Sequence, residues 1–281
     1  MSATSAPESA DPLGPLAQIP AVRNAVTESR TAIDRLRAHR SQRRHGAAIA
    51  TESALRGAAA AAALELAPEL ALPLEDVRAI TRAAPPTAPP AAAGTGQPDG
   101  SDPARAAAIG ALRAYAELPL LSATWARSPL QVLARLHLLV ASGSVEDTAL
   151  GRPSGAAERE EPASSRLLDL AEVLGRTRAP ALIVAAIVHA EIASLRPFSW
   201  GSTIVALAAQ RVVLAGRGLD PALQGVPEVG HLEAGTAYGE ALSAYATGGS
   251  AGVVAWVQHC ADAVIIGAQQ GLAIGEAAVR G

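Results

Sequence analysis

The stretch HAEIASLRPFSWGSTIVALAAQRVVLAGRGLDP, residues 189–221, decides the fold. From Pro180 to Leu195 nearly every position is apolar or Ala, with only His189, Glu191 and Ser194 polar, which predicts a helix buried on most sides. Pro197 cannot continue that helix, because it lacks an N–H and its ring clashes with the preceding turn; it also biases Arg196 away from helical angles. Gly201 opens a backbone conformation closed to other residues, and Ser202 or Thr203 can cap a second helix running to about Leu214. That helix begins with oriented N–H groups, so Arg196, Gly201, Ser202 and Thr203 form a candidate anion site. Loops held between rigid helices often carry binding or catalytic groups, yet this one has few reactive side chains.

The residues of this turn resemble the core of the Fic (Fido) family, whose motif runs His-Pro-Phe-x-Asp/Glu-Gly-Asn-Gly-Arg-x-x-Arg between two central helices. Laid on the chain without a gap, the motif falls on Arg196 to Leu207, and Pro197, Phe198 and Gly201 match it. The resemblance implies an all-α, Fic-like fold with two central buried helices and a short β-hairpin flap. For members with the whole motif it implies transfer of AMP from ATP to a protein hydroxyl. The departures fall on the groups that do this chemistry. The family's histidine takes the proton from the attacking hydroxyl, and Arg196 stays protonated at any relevant pH. Its acidic residue helps hold the metal on the phosphates, and Trp200 offers no oxygen ligand. The asparagine position is Ser202 and the second glycine is Thr203. The two phosphate-neutralising arginines are replaced by Ile204 and Leu207, which present only hydrocarbon.

Many Fic proteins also carry an inhibitory helix, Ser/Thr-x-x-x-Glu-Gly/Asn, whose glutamate pairs with the second motif arginine. Glu52-Ser53-Ala54-Leu55-Arg56-Gly57 resembles that segment, with Glu52 at the Ser/Thr place and Arg56 at the acidic one. Both partners of the ion pair are therefore missing together, as expected when a single unpaired buried charge costs several kcal/mol.

The resemblance extends less specifically over about two thirds of the chain. Ser128-Pro129 followed by LQVLARLHLLV reads as a capped helix with Pro at its first position, similar to the helix before the family's substrate-binding flap. The polar, Gly/Pro-rich segment after it is compatible with a short β-ribbon over residues 151–162. Tyr238-Gly239-Glu240-Ala241-Leu242 and Trp256 are similar to the closing helices.

Composition agrees with an all-α chain. In 281 residues, 49% are hydrophobic and only 2% aromatic, so the core is built from Ala, Leu, Val and Ile, and Ala-rich sequence favours helix. Residues 1–18 read as a disordered lead, residues 19–82 as an N-terminal helical portion containing the inhibitory-like segment, residues 83–103 as a Pro/Ala/Gly linker and residues 104–281 as the Fic-like domain. Within the first portion, helices are expected over Ile19–His45, Gly46–Ala67 and Leu74–Arg82. There is no signal-peptide pattern, and the apolar runs at 181–188 and 204–213 are too short or interrupted to span a bilayer. The expectation is a cytoplasmic protein without membrane contact. The lone Cys260 rules out an internal disulfide and suits that compartment.

A net charge of −3 gives no global attraction to nucleic acid. The Arg-rich run Arg35–Arg44 reads as the solvated face of an amphipathic helix rather than a nucleic-acid patch, since no aromatic residues interleave it. His189, Glu191 and His137 do not make a metal set, because His-x-Glu neighbours on a helix point apart; His189 is expected to be a hydrogen-bonded core residue. Trp200 has two readings, a plug for the vacated cleft or an exposed anchor for a partner. Two functions follow. One is a Fic-fold pseudoenzyme acting as a regulatory or protein-interaction module on an unidentified protein, with no metal or cofactor. The other is a transferase of altered chemistry that moves a phosphate-containing group from a nucleotide to a protein hydroxyl; ATP and Mg²⁺ would enter only with residual activity of the Fic type. Oligomeric state is not encoded in any readable pattern.

Overall fold

The computed structural model describes residues 11–83, 102–153 and 162–280. Twelve α-helices and no strand are found among them: α1 Gly14–Gln18, α2 Pro20–Ala38, α3 Gln42–Leu66, α4 Leu74–Ala83, α5 Pro103–Trp125, α6 Pro129–Ala141, α7 Ala163–Arg176, α8 Ala181–Leu195, α9 Ser202–Gly216, α10 Pro227–Glu233, α11 Thr236–Thr247 and α12 Gly249–Arg280. Residues 1–10, most of the expected linker and residues 154–161 of the expected β-ribbon lie outside the described residues. The nearest thing to a strand pairing is an isolated bridge between Ser142 and Val145.

Burial ranks the helices. In α8, 13 of 15 residues are buried, and in α9, 14 of 15, so these two lie at the centre with apolar neighbours on all sides. They pack on each other, α5 and α6 cover α9, and α11 and α12 cover α8. The N-terminal helices α2 and α3 dock on the same core, α2 against α12 and α3 against α5, α9 and α12. Side chains on α8 and α9 are therefore held by packing from several directions, and anything placed at the turn between them inherits that rigidity.

Three boundaries differ from the sequence expectation. Residues 11–18, assigned to a disordered lead, are held in place: the Asp11 carboxylate accepts from Thr177 Oγ1 (2.7 Å), the Arg178 N–H (2.8 Å) and the Leu13 N–H (3.0 Å). The first long helix ends at Ala38 rather than near His45, because His39 turns extended and its Nδ1 bonds Ser41 Oγ at 2.8 Å. Gly46, expected to start the next helix, lies inside α3, where its carbonyl accepts from Gln224 Nε2.

Helix α12 is the longest of the described helices. Its 32 residues are long and apolar enough, by length and composition, to cross a membrane, but half of its most apolar window is buried in the bundle against other helices. Trp256 anchors it, donating its indole N–H to the Ala186 carbonyl at 2.8 Å.

Candidate functional site at the α8–α9 turn

The turn is built as the Pro and Gly residues dictate. Arg196 ends α8 in the left-handed region (φ 44°), strained for a residue with a Cβ, and its N–H closes the helix on the Ile192 carbonyl. Gly201 is left-handed too (φ 75°), and a Cβ there would lie 2.5 Å from Val140 Cγ1 on α6. Between them Pro197 and Phe198 are buried, Ser199 is exposed and Trp200 is half-buried against the main core. Ser202 does not cap α9. It occupies the first helical position behind Gly201, and its hydroxyl accepts from the Phe198 N–H (3.2 Å) and donates to the Phe198 carbonyl (3.1 Å), tying the loop to the helix.

The cap comes from elsewhere in the chain. At the end of α3, the Glu65 carboxylate, 4% exposed, accepts from the Thr203 N–H at 2.7 Å and the Gly201 N–H at 3.3 Å, while Arg196 Nη2 lies 3.5 Å away. The candidate anion site is thus filled by the protein's own anion, where peptide N–H groups and helix dipole favour negative charge. Arg196 is pulled toward that carboxylate with 57% of its side chain exposed. Ile204 and Leu207 are both 0% exposed and belong to the core.

Beneath the turn the chemistry is apolar. A cavity of about 280 Å³ is lined by Leu130, Leu133, Leu167 and Phe198, among others, with no charged side chain in its wall. His137 of α6 stacks on Phe198, with ring centroids 4.0 Å apart and planes 9° apart, and its Nδ1 accepts from the Gly151 N–H at 2.9 Å. Burial lowers its pKa to about 4, against a smaller opposing contact with the Trp200 backbone, so the ring is neutral near pH 7.

The inhibitory-like segment is not at the turn. Glu52 bonds Arg56 Nε (2.9 Å) and both terminal nitrogens of Arg78 (2.8 Å each), and these pairs, Arg78 foremost, hold its carboxyl below the usual range. Ser53 Oγ donates to the Gln224 carbonyl at 2.8 Å. Gly57 faces the buried Tyr115, Glu228 and Arg211, and a Cβ there would lie 2.8 Å from Tyr115 Cε1. At a rise of about 1.5 Å per residue, Glu65 lies roughly 20 Å further along α3 than Glu52. Its sequence signal was faint: a lone carboxylate in the alanine-rich run AAAAAALEL.

A crystal structure of a Fic family protein from Desulfovibrio desulfuricans G20, at 2.70 Å resolution, matches with a TM-score of 0.69 over 90% of this chain and 74% of that chain, at 18% identity. The chain has a Fic-like fold. No family model and no curated protein matches it. Within the Fic-like frame the α8–α9 pair is the central helix pair; Arg196 and Trp200 lie in the turn that joins it, and Ile204 and Leu207 lie in α9. His189 is a core histidine on α8, 0% exposed and bonded to Gln210 and Tyr238. Glu191 points away from it, to Tyr245 Oη and Arg166.

Proposed function

We propose that this chain is a Fic-fold pseudoenzyme, without AMP-transferase activity, that works as a regulatory or protein-interaction module. The observation that carries this reading is the Glu65 carboxylate seated on the N–H groups of Gly201 and Thr203, where a transferred phosphate group would need to bind. Three further features support it. Arg196 cannot act as a general base. Trp200 brings no metal ligand. Ile204 and Leu207 are locked in the core, so neither position can be turned toward phosphate without unpacking α9.

The test is incubation of the full chain with Mg²⁺ and α-labelled ATP, alone and in a cell extract. The expected result is no label on any protein above a chain-free control. Labelling that disappears in Arg196→Ala overturns the reading. A second reading, a transferase of altered chemistry holding an anionic donor, draws on the exposed Arg196 guanidinium beside the helix N-terminus. Calorimetric titration of the wild type and Glu65→Ala with a nucleotide panel separates the two: heat with the wild type favours the transferase, whereas a silent wild type, with or without heat from Glu65→Ala, favours the pseudoenzyme.

A further inference from the structure

Five helices each send a polar or aromatic side chain to one point in the core: His189 from α8, Gln210 from α9, His231 from α10, Tyr238 from α11 and Cys260 from α12. In a chain with 2% aromatics this concentration is unusual, and Trp256 and His259 of α12 pack around it, His259 stacked on Trp256 at 5.4 Å. All five are buried, and one ring nitrogen from each of His189 and His231 and the Cys260 sulfur lie within 4.8 Å of one another.

We propose that His189, His231 and Cys260 form a binding site for a single transition-metal ion of the zinc class. Two imidazoles and a thiolate are a donor set suited to zinc or cobalt(II), and three protein ligands leave a fourth position for water or a neighbouring oxygen. The hydrogen bonding around the set is that of a ligand shell. A single oxygen, Gln210 Oε1, lies 3.2 Å from His189 Nδ1 and 3.0 Å from His231 Nε2. With that oxygen accepting from both rings, each imidazole is fixed in the tautomer whose opposite nitrogen, His189 Nε2 or His231 Nδ1, carries a lone pair. Such outer-shell acceptors orient metal-binding histidines and raise their basicity. Gln210 Nε2 is itself buried without a partner, an orphaned donor beside a site that would gain a negative sulfur.

Without metal, the two lone pairs are occupied by weak competitors, the Tyr238 hydroxyl at 3.0 Å from His189 Nε2 and His259 Nε2 at 3.0 Å from His231 Nδ1. A metal of this class binds neutral imidazole and thiolate, so loading displaces the Cys260 thiol proton to solvent. One proton is released per ion bound. His259, half-buried at the rim, links the set to solvent. An N₂S set also explains why the sequence concealed the site: the ligands are separated by 42 and 29 residues and belong to no spaced motif.

The experiment uses the full chain, stripped with a chelator and titrated with Co²⁺, both folded and during refolding so that access to the core does not limit loading. The expected result is a thiolate-to-cobalt charge-transfer absorption with tetrahedral d–d bands, saturating at one equivalent and bleached by Zn²⁺. Cys260→Ser should remove the charge-transfer band, and Gln210→Ala should weaken Co²⁺ binding by roughly 10–100-fold. Wild-type protein that develops no such bands in either protocol overturns the proposal, as do bands that persist in a folded Cys260→Ser. Should a variant fail to fold, the wild-type titration alone decides.

Discussion

The Glu65 carboxylate takes two of the four peptide N–H groups that the start of a helix leaves without intrahelical partners, and it does so while nearly excluded from water. Removing it leaves those two donors without the carboxylate that accepts from them. Glu65→Ala is therefore expected to lower the unfolding free energy by about 1–2 kcal/mol, the range for losing a helix cap, and Glu65→Gln, which keeps one acceptor oxygen, by less. Urea denaturation of the three proteins checks the order. At the neighbouring position, Arg196→His introduces a titratable ring while Glu65 still occupies the helix N-terminus and Ile204 and Leu207 remain packed. It is expected to leave nucleotide transfer at background, measured with labelled ATP; robust transfer by this single variant would show that Glu65 and the packed Ile204 and Leu207 do not keep nucleotide from the turn.

At the level of elements, the turn works as a clamp between α6 and the α8–α9 pair. Gly201 combines positive φ with a Cβ position 2.5 Å from Val140 Cγ1, so Gly201→Ala meets both backbone strain and a clash. A loss of about 1–3 kcal/mol is expected, part of it recovered in Val140→Ala/Gly201→Ala because that pair shares the clash but not the strain. A double-mutant cycle by thermal or urea melting measures the split. The same element shows what the sequence could tell. The apolar run of α8, the break at Pro197 and the restart behind Gly201 follow from residues adjacent in the chain, so the central helix pair was legible. The group that fills the turn was not, since Glu65 comes from 138 positions away to reach Thr203 and obeys no local rule. Local rules therefore point to Ser202 or Thr203 as the cap, and likewise to Gly46 as the break between α2 and α3, whereas the chain breaks at His39, whose Nδ1 bonds Ser41 Oγ, and carries Gly46 inside α3.

For the molecule as a whole, stability depends on polar groups that were taken out of water. Arg211 and Glu228, 1% and 0% exposed and 3.2 Å apart, tie α9 to α10, with the Tyr115 hydroxyl of α5 donating to the same carboxylate. Arg211→Met leaves Glu228 as an unpaired buried charge and is expected to cost about 3–5 kcal/mol by denaturant midpoint. His137 makes the pH dependence explicit. In the unfolded chain its pKa is the ordinary 6.5, whereas in the fold burial lowers it to about 4, and the Gly151 N–H occupies the Nδ1 lone pair that protonation would need. Between those values the unfolded state binds the extra proton and the folded state does not. The stabilisation is complete above pH 6.5 and declines as pH falls toward 4, with a slope of up to about 1.4 kcal/mol per pH unit and a total on the order of 3 kcal/mol from this ring. Glu52 acts in a lower window: its depressed carboxyl contributes above its usual pKa of 4.5 and loses that contribution as pH falls through its folded value. Urea midpoints of wild type and His137→Gln, compared at neutral pH and near pH 5, isolate the histidine. The difference between the two proteins should shrink as pH falls; a difference that stays constant would mean that His137 takes up its proton in the fold as readily as in the unfolded chain.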